Sequence, residues 1–87
     1  MKDLEKILKG LANRRRLSIL WHLKKRKTAS VGELAEAIDL SFNATSKHLA
    51  KLKALGVIHR EQYGKKVVYH ISPEQSPAAS AILDLLE

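Results

Sequence analysis

The chain has 87 residues, no cysteine, 45% hydrophobic residues and a formal net charge of +7. That length suits one domain, residues 1–87, with a modest core, and the lack of cysteine excludes disulfides, thiolate metal sites and thiol redox switches. The N-terminus lacks an apolar signal core and no apolar run is long enough to span a bilayer, so a cytoplasmic chain with no membrane partner is expected.

Leu4, Ile7, Leu8 and Leu11 recur at helical spacing and predict a first helix from residue 3 to about 11. Asn13 is a good N-cap for a second helix, in which Leu17, Leu20 and Leu23 point inward with Ile19 beside them. Trp21 borders that stripe and is expected to pack, the alternatives being contact with a partner subunit or the rim of an effector pocket. Lys24-Lys25-Arg26-Lys27 reads as a solvated loop after the helix. Arg14 to Arg16 could reach a phosphate from the helix start, or Arg16 could serve a structural ion pair.

Ser30 with Glu33 three residues later is a capping-box signature, and Val31, Leu34, Ala35 and Ile38 follow at helical spacing. Asp39-Leu40-Ser41 breaks the pattern, and Ser41 is a fit N-cap for a fourth helix over about 42–55. In it Thr45, Leu49, Leu52 and Leu55 point one way, while Asn43, Ser46, Lys47, Ala50 and Lys51 point the other. Gly56 ends it as a residue able to adopt positive φ. Two short helices joined by a tight turn, the second exposing Asn, Ser and Lys near its start, match the DNA-reading helix-turn-helix.

Val57–Tyr63 and Lys66–Ile71 are rich in β-branched and aromatic residues, and Gly64-Lys65 suits a type II′ turn. Pairing Tyr63 with Lys66 sets Gln62 opposite Val67, Arg60 opposite Tyr69 and Ile58 opposite Ile71. Ile58, Val67, Tyr69 and Ile71 are expected to pack on the helices. His59 then faces His70 with Glu61 on the same side, a possible metal half-site without a fourth ligand, so no metal and no cofactor is assigned. Ser72–Pro77 reads as a linker, and a helix over about 76–87 closes the chain. The fold class is mainly α with a β-hairpin wing, a winged helix-turn-helix in the order α-α-α-α-β-β-α. The plainer alternative is an α+β packing module whose lysines only keep it soluble.

Charge follows this layout. Residues 47–66 hold six Lys/Arg against Glu61, whereas residues 67–87 hold none and carry Glu74, Asp84 and Glu87. A basic body suits a polyanion, and double-stranded DNA is the expected partner. Asn43, Ser46 and Lys47 are expected to read bases, since Asn can bond adenine and Lys can donate to guanine. Ser41, His48, Lys51, Arg60, Lys65 and Lys66 are expected at phosphates, with a half-buried, hydrogen-bonded His48 as the alternative. Phe42 is expected to pack in the core, the alternative being contact with a thymine methyl. No triad of Ser, His and carboxylate and no Gly-rich phosphate cradle is present, so no enzyme is expected.

Leu11-Ala12-Asn13-Arg14-Arg15-Arg16-Leu17-Ser18-Ile19-Leu20, Gly32-Glu33-Leu34-Ala35, the segment Leu40–Leu55 and the wing residues Arg60, Gly64-Lys65 and Val67–Ile71 together resemble the ArsR (arsenical-resistance repressor) family. The resemblance runs from about residue 4 to 72. It implies a repressor whose end helices pair across a two-fold axis, placing Leu4, Ile7, Leu8, Ile82, Leu83 and Leu86 at a homodimer interface. Two features of the family are missing. Thr28-Ala29-Ser30-Val31 stands where many members have a Cys-x-Cys metal site, and Ser76–Glu87 has no His where others place metal ligands. Phe42 stands where the family often has Gln. An effector of unidentified chemistry stays among the partners considered. The alternatives to a sequence-specific regulator are a winged helix acting through protein contacts and a chromatin-like binder indifferent to sequence.

Overall fold

Side-chain caps decide where the helices of this chain begin. A computed structural model describes residues 2–87 and gives the order α1 (Lys2–Leu11), α2 (Arg14–Arg26), α3 (Val31–Ala37), α4 (Phe42–Ala54), β1 (Ile58–Tyr63), β2 (Lys66–Ile71) and α5 (Pro77–Leu85). Asn13 Oδ1 accepts the Arg16 N–H at 3.1 Å, Ser41 Oγ the Ala44 N–H at 3.1 Å, and Ser76 Oγ the Ala79 N–H at 3.2 Å. At α3 the exchange is reciprocal: Glu33 N–H donates to Ser30 Oγ at 3.1 Å, and Ser30 N–H donates to Glu33 Oε1 at 2.8 Å. Each bond satisfies a first-turn donor that no helix carbonyl can reach. Gly56, at φ 78°, stops α4 in a conformation that costs other residues a steric penalty.

The hairpin has the expected register, from Ile58 opposite Ile71 to Tyr63 opposite Lys66. Gly64 takes φ 63° while Lys65 stays at negative φ, the pattern of a type II′ turn rather than I′. Two details differ. Val57 lies outside the ladder, because its N–H bonds Leu52 O at 3.2 Å and its carbonyl accepts Ser72 N–H at 2.9 Å. Val68, on the face opposite Tyr69, is also buried, so the hairpin is covered in part on both faces. The sequence also held no sign of a third pairing. Ala29 N–H donates to Tyr69 O at 3.1 Å and Tyr69 N–H donates to Ala29 O at 2.8 Å, tying the loop before α3 to β2.

Leu11, Ile19, Leu20, Leu23, Leu34, Leu49, Leu52, Val57 and Ile58 form a fully buried centre drawn from α1 to β1. Each such side chain stabilises the fold by about 1.5–3 kcal/mol relative to exposure. The stretch read as a linker is held down. Ser72 is buried, and Gln75 Nε2 donates to Val57 O at 2.9 Å and Ser72 O at 2.7 Å.

Several expectations need correction. Ile7 and Leu83 belong to the core of the single chain, because α1 and α5 pack on one another within it. Of the apolar residues assigned to an interface, Leu4 and Leu8 are exposed and Ile82 and Leu86 half-buried; Leu85, not assigned, is exposed at 79%. Phe42 is not a core residue, being 59% exposed. The basic run after α2 is not a loop either, since Lys24, Lys25 and Arg26 form its last turn. Lys24 Nζ donates to Leu83 O at 2.7 Å and Leu86 O at 2.6 Å. It thereby supplies from α2 the cation that the last turn of α5 lacks. Trp21 joins the same corner, its Nε1–H donating to the Glu87 carbonyl and Lys25 Nζ lying 5.4 Å from its ring centre.

Replacing Lys24 by Ala removes both bonds and leaves two carbonyl ends without a cation. Stability should fall by about 1–2 kcal/mol in urea denaturation. Amide exchange should quicken first in α5, whereas an unchanged midpoint would show that water replaces the ammonium fully.

Candidate nucleic-acid interface

The alternation of side chains along α4 sets its two faces. Thr45, Leu49 and Leu52 have no accessible surface, and Thr45 Oγ1 donates to Ser41 O at 2.8 Å, so its hydroxyl is satisfied inside the fold. On the other side Asn43, Lys47, Ala50 and Lys51 are exposed and Ser46 is half-buried. The first turn carries no acidic residue. Its unpaired N–H groups and the helix dipole therefore leave that end positive. Ser41 Oγ is engaged as the cap yet keeps a hydroxyl proton to donate.

Two arginines of α2 fix the elements behind this face, one of them foreseen only in part. Arg15 Nη1 donates to Ile38 O at 2.9 Å, closing the C-terminal end of α3. Arg16 Nη1 donates to Gly10 O at 2.8 Å and its Nε to His48 Nδ1 at 3.3 Å. Arg16 is thus structural, but its partners are a carbonyl and an imidazole rather than a carboxylate. Gly10 faces the Leu55 side chain at the end of α4, and a Cβ there would stand 2.2 Å from Leu55 Cδ1, so a larger residue would make that leucine turn away.

His48 changes role accordingly. It is half-buried, and because a guanidinium only donates, its Nδ1 must accept and its proton sits on Nε2. Burial, with Arg16, Arg15 and Lys51 adding their charges, holds its pKa below the ordinary value of 6.5. At neutral pH it is an uncharged brace of α4 with one outward-capable donor, not a cation for phosphate.

In the wing, Lys65 and Lys66 are exposed at the tip. Arg60 is exposed too, but alternation places it on the Tyr69 face, whereas Lys66 shares the opposite face with Tyr63. Those two cations therefore leave the hairpin on opposite faces. Lys66 also lies near α3: the Glu33 carboxyl is held below its ordinary range first by its hydrogen bonds to Ser30, with smaller effects of Arg26 and Lys66. On the Lys66 face the hairpin polar groups pair among themselves. His70 Nε2 meets Glu61 Oε1 at 2.5 Å, Tyr63 OH donates to Glu61 Oε2 at 2.5 Å, and His59 Nε2 pairs with Ser72 Oγ at 3.0 Å. The Tyr63 and His70 bonds lower the Glu61 pKa. Among the described residues no cluster of three or more His, Asp or Glu side chains has the arrangement of a metal site.

The structure therefore gathers Ser41, Asn43, Ser46, Lys47 and Lys51 along one helix, with His48 as its half-buried brace, and leaves Lys65 and Lys66 exposed on the hairpin that follows it. Phe42, one position after the Ser41 cap and expected in the core, stands instead on the exposed side of α4. Its helical phase matches that of Ser46, four residues on, and that signal was available in the sequence. Positive charge continues onto α1: Lys6, Lys9, Arg16 and Lys51 line a cleft of about 700 Å³ beside the end of α4.

A short bracing helix, a second helix with a polar and cationic outer face, and a basic hairpin following it define a winged helix-turn-helix. Residues 11–61 match the family described as a helix-turn-helix domain. Over 80 residues the chain is 39% identical to the transcriptional activator HlyU of Vibrio cholerae, covering 92% of this chain and 70% of that one. It is 35% identical to the arsenical resistance operon repressor of Escherichia coli, covering 90% and 67% of the two chains. The structure of reduced HlyU from Vibrio cholerae superposes with a TM-score of 0.82 at 36% identity, over 98% of this chain and 85% of that one. The chain belongs to the ArsR-like winged helix-turn-helix transcriptional regulators.

The lowered His48 pKa has a consequence for stability. The unfolded imidazole takes a proton near pH 6.5 while the folded one resists it. Below that pH the unfolded state binds more protons, so stability falls as pH drops from 6.5 to the folded value and is level beyond it. His48→Gln should flatten this decline, read as the difference in urea midpoints between about pH 7.5 and pH 5 for the two proteins. Identical pH profiles would remove His48 as the titrating brace.

Proposed function

We propose that this protein is a homodimeric repressor that binds an inverted repeat in double-stranded DNA through α4 and the wing, and that it is not an enzyme. The observation that carries this reading is the division of α4. Three of its inward residues have no exposure at all, and its outward N-terminal turns present Asn43, Ser46 and Lys47. A helix held so firmly on one side keeps its other side in register for a groove.

In this reading Asn43 bonds an adenine edge, Lys47 donates to guanine, and Ser46 adds a less discriminating contact. Ser41, Lys51, Lys65 and Lys66 meet phosphates and set position, with Arg60 reaching a separate phosphate from the other face of the wing. The chain acts as one domain whose outer apolar residues Leu4, Leu8, Ile82, Leu85 and Leu86 meet a second copy. Exposed Leu4 and Leu8 on α1 and Leu85 on α5 support that pairing. Two-fold symmetry sets the recognition helices about 34 Å apart. No described helix is long and apolar enough to cross a membrane, which fits a cytoplasmic regulator.

Selecting duplexes from a random pool should yield an inverted repeat. Asn43→Ala or Lys47→Ala should then weaken specific binding by about 1–3 kcal/mol and relax one base position per half-site. Equal losses on selected and random DNA would instead assign these residues to the backbone.

Changing Lys65 and Lys66 together to Ala should weaken binding to all duplexes by a similar factor. The log–log salt slope should become shallower by roughly 0.9 for each phosphate that the wing no longer neutralises, with base preference kept. A slope that does not move would place the wing away from DNA and favour a protein-contact role.

A further inference from the structure

Phe42 is the feature that the phosphate and hydrogen-bond contacts leave unexplained. It is the first residue of α4, follows the Ser41 cap directly, and is 59% exposed. Its benzyl group lies outside the core cluster and most of it stands in water, so it stabilises the chain far less than a buried phenylalanine would. Its neighbours narrow what it can meet. Asn43 follows it, Ser46 shares its helical phase, and all three lie at the end of the helix that enters the major groove in this fold.

The major-groove edges of adenine, guanine and cytosine offer hydrogen-bond donors and acceptors. Thymine adds an apolar group, the C5-methyl, and in unmodified DNA it is the base that carries one. A phenyl ring has nothing to give a polar edge and strips water from it, which costs free energy when no partner replaces the water. Against a methyl it buries apolar surface on both sides. We propose that Phe42 reads a thymine through its C5-methyl group, giving each half-site a required T·A pair beside the position read by Asn43. This rests on the base-reading role of α4 given above and names a base that the hydrogen-bonding residues do not specify.

The test separates this inference from that role. Starting from the preferred duplex, each thymine of the half-site is replaced singly by deoxyuridine, which removes one methyl and leaves the hydrogen-bonding edge intact. Binding of the wild-type protein should weaken about fourfold per methyl removed at one position, and remain unchanged at the others that Phe42 does not reach. Phe42→Ala should bind the thymine duplex more weakly and make no distinction between thymine and deoxyuridine there. Phe42→Leu, which keeps an apolar surface, should retain part of the distinction. Circular dichroism of both variants should match the wild type, because an exposed side chain leaves the core intact. Deoxyuridine tolerated at every position, or a penalty equal in wild type and Phe42→Ala, would overturn the inference while leaving base reading by Asn43 and Lys47 in place. A pool that yields no preferred duplex would overturn both.

Discussion

Burial of Thr45, Leu49 and Leu52 against the rest of the chain is the constraint on which the outer face of α4 depends. A recognition helix makes useful contacts only if its rotation and depth are set before DNA arrives, since a small error in either moves every side chain relative to the base edges. Here α1, α2, α3 and β1 all pack against α4. The apolar packing supplies most of the holding free energy, and directional bonds add the registry that apolar packing lacks.

Those bonds meet at Arg16. Its guanidinium reaches the Gly10 carbonyl at the end of α1 and the His48 ring in the middle of α4, while Arg15, one residue before, closes the end of α3. The start of α2 is thereby linked to each of the three helices around it. Half-buried charge of this kind is tolerated because hydrogen-bond partners replace part of the lost water. Burial, with the charges of Arg16 and Arg15 beside it, disfavours a second charge on His48. The brace therefore works in the neutral form of the imidazole.

The two ends of the chain show a related division of labour. α1 and α5 each place one side in the core, through Ile7 and Leu11 and through Ala79 and Leu83. Each still leaves large apolar side chains outside, Leu4 and Leu8 on one helix and Leu85 on the other. Lys24 fastens the last turn of α5 to α2, so this outer surface is presented by anchored helices. Apolar groups held in a fixed arrangement bind a second surface at less entropic cost than groups on a loose tail.

The sequence by itself determined the elements and the hairpin register. Asn13, Ser30, Ser41 and Ser76 are local caps whose bonds span three residues, and Gly64 sets a two-residue turn that leaves one pairing for the strands. Such features act over a few residues, so neighbours in sequence suffice to read them. The outward phase of Asn43, Ser46 and Lys47 followed from the same short-range periodicity. Only the tertiary structure decided the partners of Arg16 and Lys24, the pairing of Ala29 with Tyr69, and the division of α1 and α5 between core and surface. These interactions join residues whose separation is fixed by how whole helices pack, and no local pattern carries that distance. Phe42 lies between the two cases. Its phase was legible, yet hydrophobicity argued for the core, and the packed interior had no place for a side chain on that side of α4.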